Sequence, residues 1–173
     1  MKYRLANSDD VKRIADLHSR SWQIAYQGML SDDFLVNQVP QDRLCVWQER
    51  LGNGYQEGQV VVVGEEAQHL AGFVCIFPNH DEYGALLDNL HVAPKYQRQG
   101  IGKHLMSLAI SDLRGSSSGM CLWVLSQNTD AINFYKKLGG RLADERPYPG
   151  LGDKPVLAVR MVWEAEDLSK ITE

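Results

Sequence analysis

The segment Leu90-His91-Val92-Ala93-Pro94-Lys95-Tyr96-Gln97-Arg98-Gln99-Gly100-Ile101-Gly102-Lys103 constrains this chain more than any other. An apolar run ends at Pro94 and a short basic loop follows. Helical spacing then begins at a pair of glycines, with Ile101, Leu105, Leu108, Ala109 and Asp112 on one side. A fold containing this junction delivers a strand directly into a helix N-terminus. The first N–H groups of a helix have no partner within it and sit at the positive end of its dipole, so the junction is an anion site. Glycine lets backbone amides approach an anion without a Cβ in the way. Lys95, Arg98 and Lys103 add positive charge at the same point. Two nucleotide motifs do not fit. A Walker loop needs Ser or Thr after its Gly-Lys, where His104 stands, and GxGxxG needs a last glycine where Leu105 stands.

The elements around this junction follow from periodicity. Lys2 to Ala6 reads as a first strand, and Ser8 as the cap of a helix carrying Val11, Ile14, Ala15, Leu17 and His18. Gln41 to Leu51 reads as a second helix, ending near Gly52-Asn53-Gly54. Gln59 to Gly64 holds four successive valines, a buried strand. The polar turn Glu65 to His69 joins it to an antiparallel partner, Leu70 to Phe77, which Pro78 is expected to stop. Tyr83 to Ala93 is a further strand of this sheet. After the small-residue loop Gly115 to Gly119, Met120 to Leu125 is a strand, and Thr129 to Leu138 is a helix closed by Gly139-Gly140. Arg141 onward and Pro155 to Trp163 supply the last strands. Antiparallel strands followed by strand–helix–strand–helix make a mixed α/β (α+β) fold. No repeat or composition break divides the chain, so one domain over residues 1–173 is expected, and this length buries roughly 70% of the unfolded surface.

Charge and cysteine content narrow the function classes. A net charge of −4 argues against a general nucleic-acid surface and weakly favours cationic acceptors. Cys45, Cys75 and Cys121 are odd in number and widely spaced, which argues against a disulfide framework or a zinc site. Cys75 and Cys121 lie in apolar runs and read as core. No apolar stretch follows Met1-Lys2-Tyr3-Arg4, and no apolar run approaches the ~20 residues that cross a membrane. The expectation is a soluble cytoplasmic protein with no metal, no nucleic acid and no membrane partner.

Two motifs carry a resemblance. Gln97-Arg98-Gln99-Gly100-Ile101-Gly102 resembles the signature loop Gln/Arg-x-x-Gly-x-Gly/Ala of the GNAT superfamily of acetyl-CoA-dependent N-acetyltransferases. Asn128, Ala131, Ile132, Tyr135 and Gly139 resemble that family's second motif, Asn-x-x-Ala-Ile/Ala-x-x-Tyr-x-x-x-Gly-Phe/Gly. The motifs stand in the family's order, and the resemblance covers about Val60 to Trp163. It implies a GNAT-like, mostly antiparallel central sheet, splayed by a bulge at its fourth strand and flanked by helices. It implies acetyl-CoA as donor, its pyrophosphate on the backbone amides of Gln97, Arg98, Gln99, Gly100, Ile101, Gly102 and Lys103. Main-chain groups at Leu90, His91 and Val92 then pair with the pantetheine arm like an added strand.

The chemistry so implied is direct attack of a neutral amine on the thioester, with expulsion of the thiolate. A phenol of pKa ~10 can protonate that thiolate. Tyr135 is the candidate general acid and cofactor contact; alternatively it is a helix tyrosine packed on the sheet. Asn128 bonds the pantetheine amide, or caps its helix, or both. A backbone N–H near Leu90 can stabilise the carbonyl oxygen. Neither motif assigns a base. Asp88 on the splayed strand is the candidate, against a carboxylate that only meets solvent. His91 is weighed against a plain strand-edge histidine, and His80-Asp81-Glu82 against a polar loop. Trp22 and Tyr26, one helical turn apart, either wall an acceptor pocket or pack as core aromatics. Tyr148, Pro149 and Gly150 can line the same end, and Arg146, Asp153 and Lys154 nearby leave its charge preference open. The acceptor class is a small-molecule or peptide amine; its identity and any homodimer stay open. The reading from another class is a non-catalytic acyl-CoA-binding or sensing domain on the same scaffold, for which a proton donor such as Tyr135 has no use.

Overall fold

The computed structural model describes residues 1–53, 58–81, 83–113, 119–148, 152 and 155–172. Glu82, Pro149, Gly150, Asp153, Lys154 and most of the loop before Gly119 therefore lie outside the described residues. The strands are β1 Lys2–Leu5, β2 Val60–Glu66, β3 His69–Asp81, β4 Gly84–Val92, β5 Gly119–Leu125, β6 Arg141–Tyr148 and β7 Val156–Glu164. The helices are α1 Val11–Ala25, α2 Val39–Leu51, α3 Ile101–Ser111, α4 Thr129–Lys137 and α5 Ala165–Thr172. Among the described residues the strands form one seven-stranded sheet in the order β1-β2-β3-β4-β5-β7-β6. Every neighbouring pair is antiparallel except β4 with β5. The fold is thus the mixed, mostly antiparallel one expected.

Strand alternation explains why both faces of the sheet are covered. Val61 and Val63 of β2, with Phe73 and Cys75 of β3, pack against Ile14 and Ala15 of α1 and Trp47 and Leu51 of α2. Val62, Val74 and Ile76 turn to the other face and join Leu105, Met106 and Ala109 of α3 and Leu168 and Ile171 of α5. The valine run serves both layers, and each such side chain contributes roughly 1.5–3 kcal/mol when fully buried. A third cluster joins Leu30, Leu35 and Val39 to Leu125, Val156 and Ala158, and it draws Trp22 and Tyr26 against the sheet.

Several local features differ from expectation. Asn7 rather than Ser8 starts the first helical segment. Its side chain accepts from Asp9 N, while the Asp10 carboxylate accepts from Asn7 N, closing a capping box. The second helix begins at Val39 because Pro40 suits a first turn, where an N–H has no partner. A wide helical turn, Phe34–Gln38, precedes it. Pro78 does not stop β3: pairing with β4 lapses between Phe77 and Asp81, so the missing N–H costs no ladder bond. The helix α5 is an addition, with Glu166 and Asp167 in its first turn and Lys170 in its last, as the dipole favours. Cys75 and Cys121 are buried, as read from sequence. Among the described residues no helix is long and apolar enough to cross a membrane.

Candidate active site

A discontinuity in β4 creates the site. The register against β3 pairs Asn89 with Cys75 and Leu87 with Ile76, leaving Asp88 as the extra residue. A bulge of this kind bends its strand and strengthens the local twist. On its other side β4 pairs with β5 only at Ala85↔Met120 and Leu86↔Cys121. Beyond Leu86 the strands part, and one edge of β4 faces a cleft where backbone polar groups need a partner. The cleft measures about 760 Å³, with Leu90, His91 and Val92 on one wall and Asn128 and Tyr135 on the other.

At its far end the chain turns through Pro94–Tyr96, with the Tyr96 ring buried, and enters α3. Gly100 is the N-terminal cap residue of α3, with φ +80°, and no side chain caps the helix. A Cβ on Gly100 would meet nothing within 4 Å, so the backbone angle rather than space demands glycine. At Gly102 space is tight: a Cβ there would stand 3.3 Å from the Phe134 ring, so a side chain larger than alanine would crowd it. Gln97 Nε2 donates to Val92 O at 3.0 Å, and Gln99 Nε2 to Lys95 O at 3.0 Å, fastening the loop to itself and to β4. Ile101 is buried in the core, so only its N–H is on offer. An uncapped helix start with no acidic residue in its first turn, flanked by Arg98 and Lys103, fits a pyrophosphate.

The opposite wall is α4. Asn128 Oδ1 accepts from Ala131 N at 3.3 Å, so Asn128 caps this helix while also lining the cleft. About two turns along, Tyr135 sets its ring edge-on to Phe134 and Trp163, at centroid distances of 5.2 and 5.9 Å. Burial pushes the Tyr135 phenol up, with Tyr26 adding to the effect, so the hydroxyl keeps its proton at neutral pH. Burial also raises Tyr26, to about 12, with Tyr148 adding and Arg43 opposing. Tyr26 packs at 5.2 Å against Trp22 with the rings tilted by 58°, and both line the cleft with Tyr148.

The floor is polar. Asp88 Oδ2 accepts from Arg50 Nη1 at 2.6 Å and from Asn89 Nδ2. Among the described residues Asp88 is the one carboxylate that lines the cleft. The His91 ring lies 4.6 Å from His18 and 5.2 Å from Phe73. Burial holds His91 down at about 4, with Arg43 adding. His18 is held well below the imidazole range by burial, with His91, Arg43 and Arg50 adding. Trp47 Nε1 donates to His18 Nδ1 at 3.0 Å, so the proton of this neutral ring sits on Nε2. In the sequence His18 looks like one more member of an apolar stripe, and Arg43 and Arg50 look like solvent-facing charges. Their signal is weak: the two arginines are a heptad apart and flank Trp47, which places them on one helix face.

Residues 12–140 match the model of a family described as the acetyltransferase (GNAT) family. The uncharacterized N-acetyltransferase YuaI of Bacillus subtilis is 27% identical over 82% of this chain and 82% of its own. The peptidyl-lysine N-acetyltransferase YjaB of Salmonella typhimurium is 27% identical over 67% of this chain and 72% of its own. Among solved structures, PaiA N-acetyltransferase from Thermoplasma acidophilum, in complex with coenzyme A, has a TM-score of 0.71 at 19% identity over 94% of this chain and 100% of that one. At that identity the likeness is one of fold.

Proposed function

Because the chain belongs to the acetyltransferase (GNAT) family, we propose that it transfers an acetyl group from acetyl-CoA to a primary amine by direct attack within a ternary complex. One observation carries this reading: β4 parts from β5, and past Val92 the same chain runs into an uncapped helix start that begins at a left-handed glycine. A solved relative of the fold holds coenzyme A, and a sequence relative acts on peptidyl lysine, which supports the donor and the amine.

Acetyl-CoA supplies an activated thioester, and the residues of this chain do the rest. Backbone N–H groups from Gln97 to Lys103 hold the pyrophosphate, and Arg98 and Lys103 balance its charge. The open edge of β4 from Leu90 to Val92 takes the pantetheine arm as a strand would, assisted by Asn128. A β4 N–H near Leu90 donates to the carbonyl oxygen as negative charge grows there. Asp88, steadied by Arg50 at the bulge, receives the amine proton directly or through water. Tyr135 returns a proton to the departing sulfur. Trp22 and Tyr26 wall the acceptor.

A panel of primary amines with acetyl-CoA, read by thiol release, tests the reading. Release above the amine-free background with at least one acceptor is the expected result. Acetyl-CoA binding without release for any amine would make the chain a sensing domain instead.

A further inference from the structure

The acceptor end of the cleft carries a charge opposite to that of the whole molecule. The chain has a net charge of −4. Yet Arg43, Arg50 and Arg146 line the cleft, and among the described residues only Asp88 opposes them there. Arg50 is committed to Asp88 at 2.6 Å. Arg43 is paired with Asp42, its neighbour on α2, but its guanidinium lies 4.4 Å over the Trp22 ring, on the cleft side. Its charge reaches the floor, since it helps hold His18 and His91 neutral. From β6, Arg146 lies 3.9 Å over Trp123. Trp123 also carries Arg160 at 4.7 Å, but that guanidinium has Asp144 at 3.2 Å. Among the described residues Arg146 forms no such pair.

A guanidinium held over an indole ring is steadied by it, and N–H groups that do not face the ring stay available to a planar anion. Two such contacts, one from α2 and one from β6, line the cleft together with Tyr26 and Tyr148. A polyamine placed there would bring further ammonium groups against guanidinium groups. A carboxylate or phosphate would meet charge-assisted donors, while the amine on the same molecule stays next to Asp88.

Resting on the acetyl-transfer reading, we propose that the acceptor is a small amine carrying its own anion, which Arg146 of β6 and Arg43 of α2 bind within the cleft. Each positions the acceptor; neither touches the reacting atoms.

The test uses matched amines with the full-length protein and acetyl-CoA, read by thiol release. Lysine is compared with cadaverine, methionine with the amine left by its decarboxylation, and phosphoethanolamine with ethanolamine, with spermidine as a polycation. In at least one pair the anionic member should lead in kcat/KM by about 10- to 100-fold, the span of one hydrogen bond to a charged group. The carboxylate and phosphate arms tell which anion is preferred. Arg146→Gln, at an exposed edge position, should shrink that ratio by raising KM for the anionic member. Arg146→Lys, which keeps the charge without the fork, should restore it in part. A merely structural arginine would lower both members of a pair alike, and that result overturns the proposal. Cadaverine or spermidine as the best acceptor overturns it too while leaving acetyl transfer standing. Silence with every amine overturns the acetyl-transfer reading and this inference with it.

Discussion

At the scale of a residue, Tyr135 carries the sharpest expectation. Its ring is fixed between Phe134 and Trp163, so removal of the hydroxyl leaves the packing in place. Tyr135→Phe should lower kcat while coenzyme affinity holds, and kcat/KM should fall with it, because the proton moves only in the transition state. General acid catalysis spans roughly 10²- to 10⁴-fold. Burial raises the phenol and so weakens it as an acid, although the same cleft also raises a departing thiol. The loss should therefore lie at or below the low end of that span, about 10- to 100-fold. Wild-type kcat in the Phe variant, with chemistry shown to limit the rate, would leave Tyr135 as a packing residue.

At the scale of elements, β1, α1 and β2 are tied by charge. Asp10, fully buried before α1, accepts from Arg4 of β1 at 2.6 Å and from Arg13 of α1 at 3.0 Å. Both arginines also reach Glu65 of β2, at 2.8 and 2.6 Å. Burial by itself would raise the Asp10 carboxyl; Arg4, the Asn7 N–H and Arg13 outweigh it and hold it low. The bonds from Arg13 and Arg4 hold Glu65 low as well. A carboxylate depressed in the folded state contributes stability that is fully present above its unfolded pKa, about 4, and is lost as pH falls through the lower folded value. Stability should therefore decline below about pH 4. Asp10→Asn should cost about 2 kcal/mol at pH 7, less than a wholly buried pair because the arginine side chains are 28% and 33% exposed. It should also flatten the acid limb. Urea unfolding of both proteins at pH 7 and at about pH 2.5 checks this, and equal losses at the two pH values would contradict the assignment.

At the scale of the molecule, the ladder between β4 and β5 consists, among the described residues, of two residue pairs. A ligand seated between them bridges both halves of the sheet and stabilises the whole fold by mass action, about 2.7 kcal/mol at a hundredfold excess over Kd. For a chain of this size that is a rise in Tm of roughly 5–10 °C. Gly100→Val forces a β-branched residue to a φ of +80° and shifts the amides proposed to hold the pyrophosphate. The variant should melt somewhat lower by itself and show no rise with acetyl-CoA, with Gly100→Ala as a gentler version of the same change. A full rise in Gly100→Val would remove the loop from the binding site.

Local chemistry determined much of this protein from the sequence alone. The left-handed glycine ahead of α3, the asparagine cap of α4 and the double-faced valine strand each depend on a few adjacent residues, so motif and periodicity reveal them. Misreadings such as Ser8 for Asn7, or the stop assigned to Pro78, came where neighbouring turn formers compete or where pairing lapses. Tertiary structure alone decided the acceptor end. Trp47 meets His18, Arg50 meets Asp88 and Arg146 meets Trp123, and each contact joins elements far apart in the chain. The parting of β4 from β5 is expected from the family resemblance and not from the residues themselves, for a physical reason. A bulge is visible only as one residue too many against a partner strand, and the partner is chosen by the burial of whole faces, a quantity that no short stretch of sequence contains.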